Sequence, residues 1–476
     1  MFLKYFYDQK LAHASYMVGC QATGEALVID PGRDVDIYLK TAASNDFRVT
    51  GAAETHIHAD FVSGARELAE RTGARLYLSD EGDENWKYTY LDDYDHRLLK
   101  EGDEFRVGRI RLEVWHTPGH TPEHLSFLLT DTAGADRPMG VFTGDFVFVG
   151  SVGRPDLLEK AAGYADTAVA GARQMFHSLQ RFKQLSDFMQ VWPAHGAGSA
   201  CGKGLGAIPS STVGYEKMFN AALSYEDEEQ FVEMLLEGQP EPPKYFAVMK
   251  RVNKEGPPLL HGRPQPVRLA AEQLPQLIEA GAAVIDTRSG RAFAAGHIAG
   301  TINIPDWGMP AWAGWLVDYE KPLYLIGDEA RVAEAVRALV YIGIDNIAGY
   351  FDLDVLAEKN GPLQSYERLP AEQLADMILN HKATLLDIRA EEEWQSGRIP
   401  GAHHVMLGYL PERAADFIND KPIVVQCRSG NRSAIGASIL QAKGARRVIN
   451  MEGGIRAWSR AGLPVDSARG DSHLRK

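Results

Sequence analysis

The sequence predicts an α/β protein in three parts: a layered α/β sandwich in the first half, then two parallel-sheet α/β domains. Two observations carry this prediction. Short strand-like runs alternate with helical stretches through the first half, the pattern of layered α/β packing. Past residue 266 the sequence repeats itself at the spacing of an ordinary domain. Length agrees, because 476 residues make roughly three domains of usual size. The expected boundaries are 1–256, 267–360 and 365–470.

Composition narrows the class. The chain is 45% hydrophobic and 24% charged, an ordinary globular balance. A net charge of -14 gives no electrostatic basis for nucleic acid or an anionic membrane surface as partner. The amino terminus, Met1-Phe2-Leu3-Lys4-Tyr5-Phe6-Tyr7-Asp8, lacks the apolar core of a signal peptide, and no apolar run reaches the length of a membrane span. Three scattered cysteines, Cys20, Cys201 and Cys427, do not make a disulfide framework. A reducing, cytoplasmic setting is expected, with each cysteine working as a thiol.

In the first half, strand-like runs include Ala26–Asp30, Arg75–Leu78, Ile110–Trp115 and Leu125–Leu129, several ending in turn residues such as Asp30-Pro31-Gly32. A helix from Gly64 to Arg71 is expected to close on Gly73. Polar residues gather where strands end. The run Val49–Ala53 leads into Thr55-His56-Ile57-His58-Ala59-Asp60-Phe61, and Trp115 leads into a stretch carrying His116, His120 and His124. Thr143-Gly144-Asp145 and Pro193-Ala194-His195-Gly196 follow two further apolar runs. Four strand ends each delivering His or Asp is the way a metal pocket is assembled at a sheet edge.

These motifs, THxHxD, PGHT, TGD and PAHG in order, resemble the metallo-β-lactamase superfamily, whose fold is an αββα sandwich. Within it the glyoxalase II hydrolases and the persulfide dioxygenases are most similar. Glyoxalase II-like enzymes carry THxHxDH, the last His serving a second metal; here Phe61 stands there. What remains, His56, His120 and Asp145, is two imidazoles and a carboxylate with open positions, the facial triad of non-heme Fe(II) oxygenases. The resemblance implies one Fe(II) per chain at those residues, with Zn as the alternative metal. It implies supporting or pocket positions for His58, Asp60 and His195. His116 and His124 are read as surface or hydrogen-bonding histidines. Arg154 is placed near a bound thiol carrier, or else in a solvent-facing ion pair. Cys201, in a glycine-rich loop with Lys203 two residues on, is read as a sulfur-handling thiolate or as a passive buried thiol. Cys20 reads as core.

The Pro- and Gly-rich segment 240–266 reads as a domain tail and linker. Beyond it, Val284-Ile285-Asp286-Thr287-Arg288 recurs as Leu385-Leu386-Asp387-Ile388-Arg389, and Lys321-Pro322-Leu323-Tyr324-Leu325 as Lys421-Pro422-Ile423-Val424-Val425. In the second copy a buried strand runs into Cys427-Arg428-Ser429-Gly430-Asn431-Arg432-Ser433 and a helix start. Loop amides, a helix N-terminus, Arg428 and Arg432 together favour a thiolate and cradle an anion. This copy, with its closing Gly453-Gly454…Trp458, resembles a single-domain rhodanese, in which the cysteine carries sulfane sulfur. The C-x4-R loop is one residue shorter than that of cysteine phosphatases and suits a persulfide better than a phosphate. In the first copy Gly327 stands where the nucleophile belongs, followed by Asp328 and Glu329. It is therefore read as an inactive pseudo-rhodanese.

The expected activity is O2-dependent oxidation of a low-molecular-weight thiol persulfide to sulfite and thiol, coupled to sulfane-sulfur transfer that makes or uses thiosulfate. A zinc thioester hydrolase of glyoxalase II type joined to a sulfurtransferase is the rival reading, and a non-catalytic sulfur carrier or sensor is another. Glutathione, coenzyme A, bacillithiol and a protein persulfide all stay open as carrier. A homo-oligomer is expected.

Overall fold

The computed structural model describes residues 1–157, 159, 167–239, 241–357 and 362–466. The expected domain ends 358–360 and 467–470 lie outside these. The chain forms two compact units, Met1–Arg263 with Val340–Gly343, and Pro264–Leu339 with Ile344–Lys476.

The first unit is built on two six-stranded sheets. One runs in the order β1 (Phe2–Asp8), β2 (His13–Cys20), β3 (Glu25–Ile29), β4 (Arg48–Ala53), β5 (Arg75–Ser79) and β6 (His96–Leu99). The other contains β7 (Glu104–Val107), β8 (Ile110–His116), β9 (Leu125–Asp131), β10 (Gly140–Gly144), β13 (Gln190–Pro193) and β14 (Ser211–Thr212), in the order β14-β13-β10-β9-β8-β7. A small hairpin, β11 (Val147–Phe148) and β12 (Ser151–Val152), follows β10.

Side chains alternate across a strand, so a strand buried on both faces reads as continuously apolar. β3 shows this directly. Leu27 and Ile29 join Tyr16, Phe127 and Trp192 in the core between the sheets. Ala26 and Val28 face the helices Asp36–Ser44 and Ala65–Thr72 on the outside. The second sheet is covered in the same way by Thr167–Phe182 and Glu228–Leu236. The result is the expected αββα sandwich. Gly73 closes its helix in the left-handed conformation, at φ 71°.

The segment expected to be a tail and linker differs. Residues Phe246–Glu255 form a helix that buries Phe246, Met249, Lys250 and Asn253. That spacing is one face of a helix, and flanking prolines hid it from the sequence reading.

The second unit holds two all-parallel sheets of the same order. The first copy runs β16-β15-β17-β18, from β15 (Ala283–Asp286), β16 (Ile302–Asn303), β17 (Leu323–Ile326) and β18 (Ile347–Phe351). The second runs β21-β20-β22-β23-β19, from β19 (Glu367–Pro370), β20 (Thr384–Asp387), β21 (His403–His404), β22 (Ile423–Gln426) and β23 (Val448–Glu452). The equivalence reaches individual bonds. Arg288 grips Asp286 and donates to the Gly296 carbonyl at 2.9 Å, as Arg389 grips Asp387 and donates to that of Gly397 at 2.7 Å.

The closing glycines have a steric reason. Gly454 sits at φ 55°, and a Cβ there would lie 2.0 Å from the Cys427 carbonyl oxygen. Gly454→Ala is therefore expected to destabilise the second unit by about 3 kcal/mol. Calorimetry of the full chain should show that unit's transition falling by roughly 6–12 °C, with the first unit's unchanged.

Candidate metal centre and sulfur-transfer loop

In the first unit the functional side chains leave the ends of strands from both sheets. Asp30, just past β3, adopts φ 49°, unusual for a residue with a side chain. Its carboxylate accepts from the Thr55 amide at 2.7 Å and the Thr55 hydroxyl at 2.9 Å. With its proton spent on Asp30, Thr55 Oγ1 can only accept from His56 Nδ1, 3.0 Å away. His56 therefore presents the Nε2 lone pair. His120 reaches the same state by donating from Nδ1 to the Arg154 carbonyl at 2.9 Å.

Asp145 follows β10. Its amide donates to His124 Nε2 at 3.0 Å, so His124 carries its proton on Nδ1 and shares it with Thr117 Oγ1 at 2.8 Å. Gly144, at φ 51°, allows this approach, since a Cβ there would lie 2.5 Å from Thr55 Oγ1 and 2.6 Å from His124 Nε2. His120 Nε2 and His56 Nε2 stand 3.4 and 3.9 Å from Asp145 Oδ2.

The ligand atoms of His56, His120 and Asp145 all lie within 4.8 Å of one another. All three residues are buried, and among the described residues His56 Nε2 and both Asp145 oxygens have no hydrogen-bond partner. Burial, reinforced by the neighbouring His58, holds His56 well below the ordinary imidazole value, and burial lowers His120 as well. Neutral imidazoles and an unpaired buried carboxylate fit a cation, which removes the cost of leaving them unsatisfied.

The other expected residues fall into place around this set. His58 turns its Nε2 away, to Glu54 at 3.0 Å and Asp30 at 3.2 Å. Burial opposes charging it, but the two carboxylates raise it well above the ordinary value. Asp60 Oδ2 lies 3.2 Å from His195 Nε2, and His195 donates from Nδ1 to the Ala12 carbonyl at 3.1 Å. Phe61 is buried between the rings of His13 and His58, with centroids 3.8 and 4.4 Å away. His116 is partly buried on the Pro122 carbonyl, and His124 is fully buried and hydrogen-bonded, the second of the two readings given for it.

Three expectations are narrowed by the geometry. Arg154 is not in a solvent-facing ion pair. It is fully buried, with Nε and Nη2 both 2.7 Å from the Asp156 carboxylate, the nearest acid two residues along. Cys201 is not poised as a thiolate. Burial, with Asp60 and Asp145 nearby, pushes its thiol well up, and Lys203 reaches the Glu237 carbonyl instead. Arg432 brings its charge to the loop already paired, its fork taken by Glu393 at 2.6 and 2.7 Å.

Around Cys427 the loop amides do what the sequence suggested. The Gly430 and Ser433 amides donate to Sγ at 3.2 and 3.4 Å. Ser433 Oγ donates to Asn450 Oδ1 at 2.6 Å, and Asn450 Nδ2 donates to the Gly430 carbonyl at 3.1 Å, bracing the loop from β23. Arg428 stays exposed.

The sequence reading missed Asp30, Thr55, Glu54, His13, Glu393 and Asn450 as parts of these sites. It also missed Asn253, which donates to the His58 and Phe61 carbonyls at 2.7 Å each and accepts from the Ser63 amide at 2.9 Å. One side chain from the late helix thus holds the HxHxD loop. The only signal for it was helical spacing inside a proline-rich stretch.

Fold and site define an αββα domain with a metal-binding donor set, joined to two parallel-sheet domains of which the second carries a buried cysteine in an amide-lined loop. Comparison with known proteins agrees. The metallo-beta-lactamase superfamily model matches residues 9–195, and the rhodanese-like domain model matches 270–355 and 370–461. A solved metallo-beta-lactamase from Staphylococcus aureus subsp. aureus COL aligns over 74% of this chain and 98% of its own, at 45% identity and a TM-score of 0.67. A beta-lactamase hydrolase-like protein of Xylella fastidiosa is 28% identical over 252 residues, 48% of this chain and 53% of its own length. A sulfurtransferase of Allochromatium vinosum is 37% identical over 103 residues, 21% of this chain and 96% of its own. The chain spans about half the length of the first curated relatives it matches. It belongs to the metallo-beta-lactamase superfamily and carries two rhodanese-like domains. Among the described residues no helix is long and apolar enough to cross a membrane.

Two outcomes test these arrangements. Asn253→Ala strips two buried carbonyls and an amide of their partner and is expected to cost about 3 kcal/mol. Denaturant unfolding should show the loss, and metal content should fall with it. The Arg432–Glu393 pair gives a pH dependence. Burial raises Glu393, but Arg432 outweighs that and holds it below the ordinary value of 4.5. A depressed carboxyl stabilises above its unfolded pKa, and that contribution disappears as pH falls through the folded one. The second unit's thermal midpoint should therefore drop more steeply below about pH 4 than that of Glu393→Gln.

Proposed function

We propose that the first domain oxidises a low-molecular-weight persulfide with O2, and that the last domain moves sulfane sulfur through Cys427. The first reaction is R–S–SH + O2 + H2O giving R–SH, sulfite and two protons. In the second, Cys427 takes sulfur from a persulfide, releasing the thiol, and Cys–S–SH with sulfite gives Cys–SH and thiosulfate. Run backward, the same step supplies persulfide, the direction being set by concentrations.

The observation that carries this reading is the donor set itself. His56, His120 and Asp145 are two neutral imidazoles and one carboxylate, the set that suits mononuclear iron with open positions. Iron held there supplies O2 chemistry and a position for thiolate sulfur. The chain's own residues do the rest. Thr55 and the Arg154 carbonyl fix the histidine tautomers, and the His124 ring takes the Asp145 amide. Phe61 occupies the position of the second-metal histidine of the hydrolase relatives and offers no ligand. At Cys427, the Gly430 and Ser433 amides are placed to support negative charge on sulfur.

The first rhodanese-like copy takes no part in the transfer. Gly327 follows β17 where Cys427 follows β22, and Arg331 is paired with Asp328 at 3.0 Å.

Oxygen uptake by the full chain, loaded anaerobically with Fe(II) and offered a panel of persulfides, tests the reading. Persulfide-dependent uptake is expected, falling about 100-fold or more in His120→Ala. Cys427→Ser should keep that uptake within about twofold while losing thiosulfate formation. Zinc without iron in the purified protein, with thioester turnover and no uptake, would overturn the dioxygenase assignment.

A further inference from the structure

Ile57 stands between the two histidines of the HxHxD stretch, and its amide is held from behind. Glu123 Oε1 accepts it at 2.8 Å. Glu123 is fully buried, and among the described residues its other oxygen, Oε2, has no hydrogen-bond partner. A buried carboxyl in that state either gives up its charge or is matched by an opposite one. The opposite charge comes from the helix Phe246–Glu255. Lys250 is only 9% exposed, and its Nζ stands 3.6 Å from the centroid of the buried Trp86 ring, a favourable seat for a cation. Trp86 and Glu123 close on Gly82 from two sides. A Cβ there would lie 2.9 Å from the Trp86 Cβ and 3.1 Å from the Glu123 Cβ.

The two groups act on each other. Burial pushes Glu123 up to about 7, while the Ile57 amide and Lys250 pull the other way. Burial lowers Lys250 to about 8, and Glu123 resists that fall. Lys254 and Asp83 also face the lysine, with opposite effects. An ionised carboxylate accepts an amide roughly twice as strongly as a neutral carboxyl does, so the charge on Glu123 decides how firmly Ile57 is held. The lysine's helix already reaches the same loop, since Asn253 bonds the His58 and Phe61 carbonyls. Lys250 lies one turn before Asn253 on the same buried face.

We propose that Glu123 is a positioning residue for the metal centre, holding the backbone between His56 and His58 as a carboxylate, and that Lys250 is the counter-charge that keeps it one. The helix Phe246–Glu255 then grips the HxHxD loop twice, directly through Asn253 and through Lys250 by way of Glu123. The role rests on the donor set His56, His120 and Asp145 alone, whichever reaction that set serves.

Cobalt(II) binding to the metal-free full chain tests it. Competition with a chelator reads the affinity, the visible d–d bands read the geometry, and the metal-free thermal midpoint reads the fold. Glu123→Gln keeps an acceptor for the Ile57 amide and removes the charge. It is expected to bind cobalt about 10-fold more weakly or worse, with shifted bands. Lys250→Met should lose affinity in the same way. The double variant should be no weaker than the weaker single one, because both act through one bond. Lys250→Arg, which keeps the charge, should recover most of what Lys250→Met loses. Wild-type affinity and bands in Glu123→Gln would overturn the role, and so would losses that add in the double variant. If Glu123→Gln does not fold, Lys250→Met against Lys250→Arg decides the matter. No persulfide or O2 enters these measurements, so a failed dioxygenase assignment leaves their outcome unchanged.

Discussion

One carboxylate sets the geometry of the first domain's centre. Asp30 receives the Thr55 amide, the Thr55 hydroxyl and His58 Nε2, and thereby fixes the backbone and two side chains of the HxHxD stretch at once. Its left-handed backbone costs on the order of 1–3 kcal/mol. Hydrogen bonds to a charged, buried acceptor offset that cost and give the strain a purpose. The His56 side of the donor set follows from it. Because Thr55 must donate to Asp30, His56 must donate to Thr55, and the nitrogen left over is the one that faces His120 and Asp145. Ala12, at φ 52°, repeats the device on the other side, its carbonyl fixing His195. Two non-glycine residues of left-handed backbone thus set the nitrogen offered by His56 and by His195, while the Arg154 carbonyl sets that of His120.

The ligand types were legible in the sequence because metal chemistry restricts them to a few residues, and strand ends are where such residues gather. Their partners were less so. Asp30 read only as part of a turn, since nothing in Asp-Pro-Gly announces three donors converging on one acid. Asn253 lies nearly two hundred residues from the loop it holds, and its helix is short and flanked by prolines.

The arginines show a more general limit. Arg154, Arg288 and Arg389 each stand two residues from an aspartate, and each closes a bidentate pair with it. At a strand end that spacing brings fork and carboxylate together before any ligand can compete. A guanidinium read from sequence as facing a substrate should first be checked against an acid two residues away. Arg154, read from the sequence as near a carrier or in a surface pair, is here held by Asp156, and its carbonyl takes the His120 Nδ1 proton.

The rhodanese-like pair separates what a domain needs to fold from what it needs to react. The first copy keeps the sheet order, the Asp–Arg clasp and the grip on a helix-end carbonyl while lacking the thiol. The helix Asn431–Ala442, which begins at the Cys427 loop, has no polar face: residues 433–440 are all buried. Such a helix must be covered on every side. The first copy supplies part of that cover. Phe293 and Ala294 share a core with Cys427 and Ile435, and the Asn303 amide donates to Ser438 Oγ at 3.0 Å. Removing the nucleophile from the first copy costs this packing nothing, because Gly327 lies at a strand end and outside that core. Removing the copy itself would expose the helix that carries two of the sulfur's hydrogen-bonding partners, Ser433 Oγ and the Ser433 amide. The copy that lacks the thiol is thereby a structural part of the copy that carries it.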